Sequence, residues 1–336
     1  MTGWRSEDVA SAGILHAAAA GDHGVAWACG ILVQEAGKRF ATLIFRRHGQ
    51  GWEQVEAPQI GRVNRALAVS DADIWAVGDD CSLHWDGSTW QKVPTAVIEG
   101  TYPQFFGLAQ FGADDVWTAG FAPTHGHPRA RGTVQRWDGS VWTDLPMPAV
   151  AASWSLSGIA GASPQDLWAV GRVHGPRNDP LALHFDGQQW QRVPVPGVED
   201  RSIQLSDIAV LGNGDTWAAG HQRGGGLGAR QPFVVHWDGH SWATGEIPEG
   251  PGQITQLASD GKNLWGLGYA APIVPYVAAL EGTAWQVIPG PPEPPGAQTA
   301  LHGGTILSDG SLLAVGSSSM PGNSRQPFAA VLTSHL

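Results

Sequence analysis

Cysteine is nearly absent: Cys29 and Cys81 are the only two in 336 residues. That excludes a disulfide framework and leaves two expected unpaired thiols, Cys29 in an apolar strand and Cys81 in a short connection. Charge is scarce as well, at 15%, and what there is leans acidic, with a formal net charge of -11. No run of Lys or Arg supplies the basic stripe that phosphate backbones require, so a nucleic-acid partner is excluded, and the acidity chiefly favours solubility. No apolar run approaches the roughly 18 residues of a membrane span. The opening segment Met1-Thr2-Gly3-Trp4-Arg5-Ser6-Glu7-Asp8 has no basic stretch followed by an apolar one, so the expected location is cytoplasmic and no membrane partner is expected.

Glycine and tryptophan are abundant instead, at 46 and 17 residues. This is the profile of many short strands joined by tight turns, hence an all-β chain. The length exceeds the usual single domain of about 100–200 residues, so either two domains or one large repetitive one is expected.

Repetition decides between them. A strand motif recurs every 42–51 residues: VAWACG ending at Gly30, DIWAVG at Gly78, DVWTAG at Gly120, DLWAVG at Gly171, DTWAAG at Gly220, NLWGLG at Gly268 and SLLAVG at Gly316. That period suits propeller blades. A second motif follows the first six copies, as in LHWDGSTWQKV and LHFDGQQWQRV, and reads as strand, Asp-Gly turn, strand, the pair supplying the positive φ angles of a tight hairpin. An apolar stretch precedes each WAVG-type strand, for example Leu156-Ser157-Gly158-Ile159-Ala160. Four strands per repeat result.

The tryptophans fit this scheme. Trp27, Trp75, Trp117, Trp168, Trp217 and Trp265 take the second-strand position, Trp52, Trp90, Trp142, Trp190, Trp242 and Trp285 open the fourth strand, and Trp85, Trp137 and Trp237 precede the turn. Rings at fixed places in every repeat are expected as core between neighbouring sheets. The expected fold is therefore one domain, 1–336, a seven-bladed β-propeller of four-stranded antiparallel blades. Its blades cover about 13–58, 60–96, 102–148, 154–197, 203–249, 253–291 and 299–336 plus 1–10. The last repeat ends after its third strand, and Gly3-Trp4-Arg5-Ser6-Glu7-Asp8-Val9 matches the missing fourth, so the N-terminal strand should close the ring.

These repeats resemble bacterial propellers that read D-x-W-A-V-G followed by L-H-W-D-G-x-x-W-x-x-V-P, and more distantly the Asp-box and kelch-type propellers. The resemblance spans the chain and implies the fold. It implies no particular activity, because such repeats occur in lectins, scaffolds and enzymes. The D-G-x-x-W turn is one residue shorter than the usual Asp-box, and no sialidase arginine triad carries over.

Chemistry is expected where the repeat breaks. Asp86, Asp138, Asp186 and Asp238 recur in the turns, and His84, His184 and His236 recur on a strand, so all seven read as structural. The start of strand one lies beside the channel, eleven residues before the second-strand Trp or its equivalent. Its occupants are His16, Asn64, Phe106, Ser157, Ser206 and His302, with Thr255 in the shortened sixth blade. Ring closure should bring His16 to His302, a pair that titrates near pH ~6.5 and suits proton transfer or metal binding, or alternatively holds channel water.

The residue after each WAVG-type motif also reaches this rim: Ile31, Asp79, Phe121, Arg172, His221, Tyr269 and Ser317. Loops between strands two and three add His125, His127, Arg129, Arg131, His174, Arg177, Arg223 and Arg230. An acidic chain that gathers cations on one face suits an anionic or carboxylate-bearing ligand, or merely carries solvated loops there. Trp154, with Tyr102, Phe105 and Phe106, forms either an aromatic wall for a ligand or a buried plug. The pair His125-Gly126-His127 lacks a third ligand nearby, so no metal site is assigned, and the sequence leaves any cofactor unknown. Gly224-Gly225-Gly226 opens no helix and is no nucleotide fingerprint.

Ligand residues are not copied from blade to blade, which disfavours a lectin. The expected function is binding of one small molecule, anionic if the arginines hold it, over the channel. An acid/base enzyme of lyase, isomerase or cyclase type is one form of this reading. His16, His302 and His221 are then the proton-transfer candidates, and Arg172, Trp154, Asn64, Tyr269, Asp79 and Phe106 line the ligand. The alternative is a protein-interaction scaffold that uses the same face.

Overall fold

The computed structural model describes residues 3–9, 12–34, 39–126, 129–197, 200–224, 228–248, 250–293, 295–322 and 324–333. Among these, every regular element is a strand, and the strands form seven antiparallel four-stranded sheets. The first strand of each sheet touches the first strand of the next: Ile14–Ala20, Val63–Ser70, Gln104–Gly112, Trp154–Ser163, Ser202–Val210, Gln253–Ser259 and Gln298–Ile306, the last returning to the first. They are the staves around a central channel, and the sheets are the blades of a propeller. His127, Gly225 and Gly226 lie outside the described residues.

Blade seven takes its outer strand from the other end of the chain. Gly3–Glu7 pairs antiparallel with Gln326–Thr333, in the register Gly3↔Thr333 to Glu7↔Ala329. Two side chains tie this strand to the blades on either side. The Trp4 indole donates to the Pro289 carbonyl at 2.7 Å, next to blade six. Glu7, 7% exposed, accepts from Arg47 Nε at 2.8 Å and Nη2 at 2.6 Å and from the Trp52 indole at 3.1 Å, both in blade one.

The second-strand tryptophans are wedges between blades. Trp27 meets Trp85 and Trp90 of the next blade at ring distances of 4.8 and 5.2 Å, and Trp168 meets Trp237 and Trp242 at 4.7 and 5.1 Å. The Asp two residues before the Trp points the same way, since strand side chains alternate. It holds a third-strand His or Arg against the ring. His84 stacks on Trp75 at 4.4 Å and meets Asp73 at 2.9 Å, His184 joins Trp168 and Asp166 in the same way, and Arg136 takes the role over Trp117 with Asp115. The D-x-W spacing and the recurring histidines therefore belong to packing.

The Asp-Gly turns differ from the expected hairpin. Only the Gly has positive φ, from 88° to 94° at Gly87, Gly139, Gly187 and Gly239. The Asp instead accepts backbone N–H groups two and three residues ahead, as Asp86 does from Ser88 at 2.9 Å and Thr89 at 2.8 Å. These hydrogen bonds hold all four carboxyls below the ordinary range. Cys81 also differs: it opens the third strand of blade two and, like Cys29, is buried and free.

The invariant glycine that ends strand two has a steric cause. Opposite it, every inner strand carries a β-bulge: Leu15 pairs with Gly30 and Ala17 with Cys29, leaving His16 unpaired, and the same skip occurs at Asn64, Phe106, Ser157, Ser206, Thr255 and His302. A Cβ on any of the seven glycines would stand 1.8–2.0 Å from an inner-strand carbonyl oxygen. Gly171→Ala, which places a methyl 2.0 Å from the Ser155 oxygen, should cost about 1–3 kcal/mol through forced backbone movement. Urea unfolding measures it, and an unchanged midpoint would contradict the close approach.

Candidate functional site

The bulges decide what faces the channel. All seven unpaired residues line one cavity of about 450 Å³, together with Arg62, Arg65, Phe121, Arg172, Gln204, His221, Arg230, Gln253 and Gln256. A bulge re-aims a side chain that regular pairing would hold in the sheet. Six of these positions are polar, and Phe106 stacks on Phe121 with centroids 5.6 Å apart and planes at 4°.

His16 and His302 meet across the closure between blades one and seven, with ring centroids 5.4 Å apart. His302 Nε2 lies 3.2 Å from the Ser317 hydroxyl, whereas His16 Nε2 is buried without a partner. Their expected titration near pH ~6.5 does not survive burial. Desolvation, followed by the charges of His302, Arg62 and Arg325, lowers His16 to about 3. Desolvation and Arg325 lower His302 to about 4. His221 drops to about 4 through burial and then Arg230, Arg223 and Arg172. All three rings are neutral at pH 7, able to share or accept a proton but unsuited to act there as standing acids.

Arg172 and Arg230 line the cavity from blades four and five. Each crosses a blade boundary to donate to a glutamine, Arg172 to Gln204 Oε1 and Arg230 to Gln253 Oε1. The Nε of each is buried and has no partner among the described residues. Burial, and then repulsion from Arg230, lowers the Arg172 guanidinium below its ordinary value. No Asp or Glu lines the cavity among the described residues.

Beneath the bulge ring lies a second layer that sequence reading missed. Arg65, on the inner strand of blade two, reaches Asp207 on that of blade five, Nη1 to Oδ2, at 2.9 Å. Those blades are not neighbours, so the pair spans the channel. The Leu257 N–H also donates to Asp207 Oδ2 at 2.9 Å, and Gln256 exchanges hydrogen bonds of 3.2 Å with the Gly304 backbone. The signal was present. The residue after each bulge is Ala17, Gly107, Gly158 or Gly303 in four blades but Arg65, Asp207 and Gln256 in the other three. The small residues make room: a Cβ on Gly158 would lie 2.8 Å from Asp207 Oδ1, and one on Gly303 2.2 Å from Gln256 Oε1.

Other candidates stand elsewhere. Trp154, 4% exposed, is a plug between blades three and four, its ring where a Gly132 side chain would be, and it does not line the cavity. Phe105 is fully buried core, and Tyr102 is 44% exposed beside His125. Asn64 lines the cavity and donates to the Phe105 carbonyl at 3.0 Å. Asp79 bridges to Gln104 outside the cavity, its carboxyl raised by burial against the pull of Arg62 and Asn64. Tyr269 lines an adjoining recess, edge-on to His302 at 6.2 Å. Among the loop cations, Arg131 and Arg177 are paired with Asp144 and Asp200.

Solved structures share this architecture from end to end. The chain resembles the propeller described as "YCF48 bound to D1 peptide", with a TM-score of 0.61 and 14% identity over 99% of this chain and 96% of that one. U3-55K matches with a TM-score of 0.65 and 10% identity over 98% of both chains, and the RRP9 WD40 repeats with 0.63 and 10% over 98% of both. The shared feature is the β-propeller fold. At these identities the likeness concerns fold alone. No protein-family model matches the sequence, and no curated protein matches it.

Proposed function

We propose that this protein binds one small anionic molecule in the channel cavity. The observation that carries the reading is the pair Arg172 and Arg230, mutually repelling, each with a buried unpartnered Nε, in a cavity without a lining carboxylate among the described residues. Half-buried guanidinium groups that face a shared cavity with buried, unpartnered Nε donors favour an anion, and a carboxylate or phosphate meets those donors with charge-assisted hydrogen bonds. Neutral His16, His302 and His221 complete the set as donors and, if the bound molecule reacts, as bases. A scaffold role agrees with the fold but gives these two arginines nothing to do.

Isothermal titration with inorganic phosphate and with malonate tests the proposal. Arg172→Gln and Arg230→Gln should each weaken binding about 10–100-fold, as expected for losing a hydrogen bond to a charged group. The pH dependence has a definite sign. A bound anion favours the imidazolium forms, so it raises the lowered histidine pKa values and binding takes up protons. Affinity should therefore increase as the pH falls towards the lowered histidine values of about 4, read with sulfate, whose charge is constant over that range. Failure of both anions to bind, or affinity indifferent to both substitutions, would overturn the reading.

A further inference from the structure

The channel cavity shares part of its wall with a second space. This is a recess of about 300 Å³ between blades five and six, and Arg230 and Gln253 form part of the walls of both spaces. The recess differs in chemistry from the cavity. Beyond Arg223, Arg230 and Gln253, its lining is Gly228, Ala229, Gly252 and the run Tyr269-Ala270-Ala271-Pro272-Ile273. Gly228, Ala229 and Gly252 add little bulk, and the Tyr269 ring, Pro272 and Ile273 supply apolar surface.

We propose that the anion carries an apolar arm: its carboxylate or phosphate lies against Arg172 and Arg230, and an aryl or short alkyl group extends past Gln253 into the recess. This rests on the anion-binding reading above and narrows it to amphipathic organic anions. Continuity supports it, because the guanidinium that faces the anion also forms the mouth of the apolar space. A bare anion satisfies the arginines but leaves the recess to water, whereas each methylene placed there gains about fourfold in affinity.

The test compares phenyl phosphate with inorganic phosphate by isothermal titration on the full chain and on Ala271→Trp and Ala229→Trp, which add bulk to the recess lining from blades six and five. Both positions are exposed, so the added indole does not disturb the core. The expected result is phenyl phosphate binding at least about tenfold tighter than phosphate to the wild type, with the ratio falling to about one in both variants. If phosphate binds and phenyl phosphate binds no tighter, the arm is refuted while the anion site stands. If the ratio persists in both variants, the arm lies elsewhere and the proposal falls. If neither probe binds, the anion site fails, and the arm with it.

Discussion

Asp207→Ala should lower the unfolding free energy by about 3–5 kcal/mol, the usual result of stripping one partner from a buried ion pair. The Asp207 side chain is 2% exposed and that of Arg65 is 17% exposed, so the guanidinium left behind finds little water. The Leu257 N–H loses its acceptor as well. The double replacement Arg65→Met/Asp207→Leu removes both charges and should recover most of the loss, because two apolar groups of similar volume carry no desolvation penalty. It leaves the Leu257 N–H without a partner, so recovery should stop about 1–3 kcal/mol short. Denaturant unfolding of the three chains decides the matter. An Asp207→Ala chain as stable as the wild type would show that the pair does not span the channel in solution.

Removal of residues 1–10 should have an effect of similar size. It uncovers the edge of Gln326–Thr333, removes the Trp4 hydrogen bond to Pro289 and leaves Arg47, 10% exposed at its side chain, without Glu7. Glu7→Ala alone should cost about 3–5 kcal/mol, since the Arg47 fork and the Trp52 indole lose their shared acceptor together. The truncated chain should melt several degrees lower, and its exposed edge should promote self-association. Calorimetry and light scattering read the two effects. A truncated monomer with an unchanged melting temperature would refute closure by this strand.

The ring residues were legible because a propeller repeats its register. Once the second-strand Trp of each blade, or Leu313 in blade seven, was aligned, counting back eleven residues reached the same channel-facing place from His16 to His302, and the shortened sixth blade still delivered Thr255. The reason for that place was not legible, because the bulge and the glycine opposite it become visible only as a pairing of two strands. Trp154 illustrates the opposite case. Its departure from the repeat suggested a ligand wall, yet an aromatic residue at the start of an inner strand can fill the seam against Gly132 as readily as the channel, and sequence spacing does not separate those two directions.

Sequence alone determined seven blades, four strands in each, closure by an N-terminal strand and the seven bulge residues, from His16 to His302, that face the channel. All of these follow from local periodicity and from the need to cover a sheet edge. Tertiary structure alone decided that Arg65 meets Asp207 across the channel, that Arg172 and Arg230 share a cavity without a lining carboxylate, and that three histidines are held neutral. Those properties depend on distances and burial that the folded ring sets and the repeat period does not. Repeat spacing carries no information about which blade lies opposite which until the ring has closed.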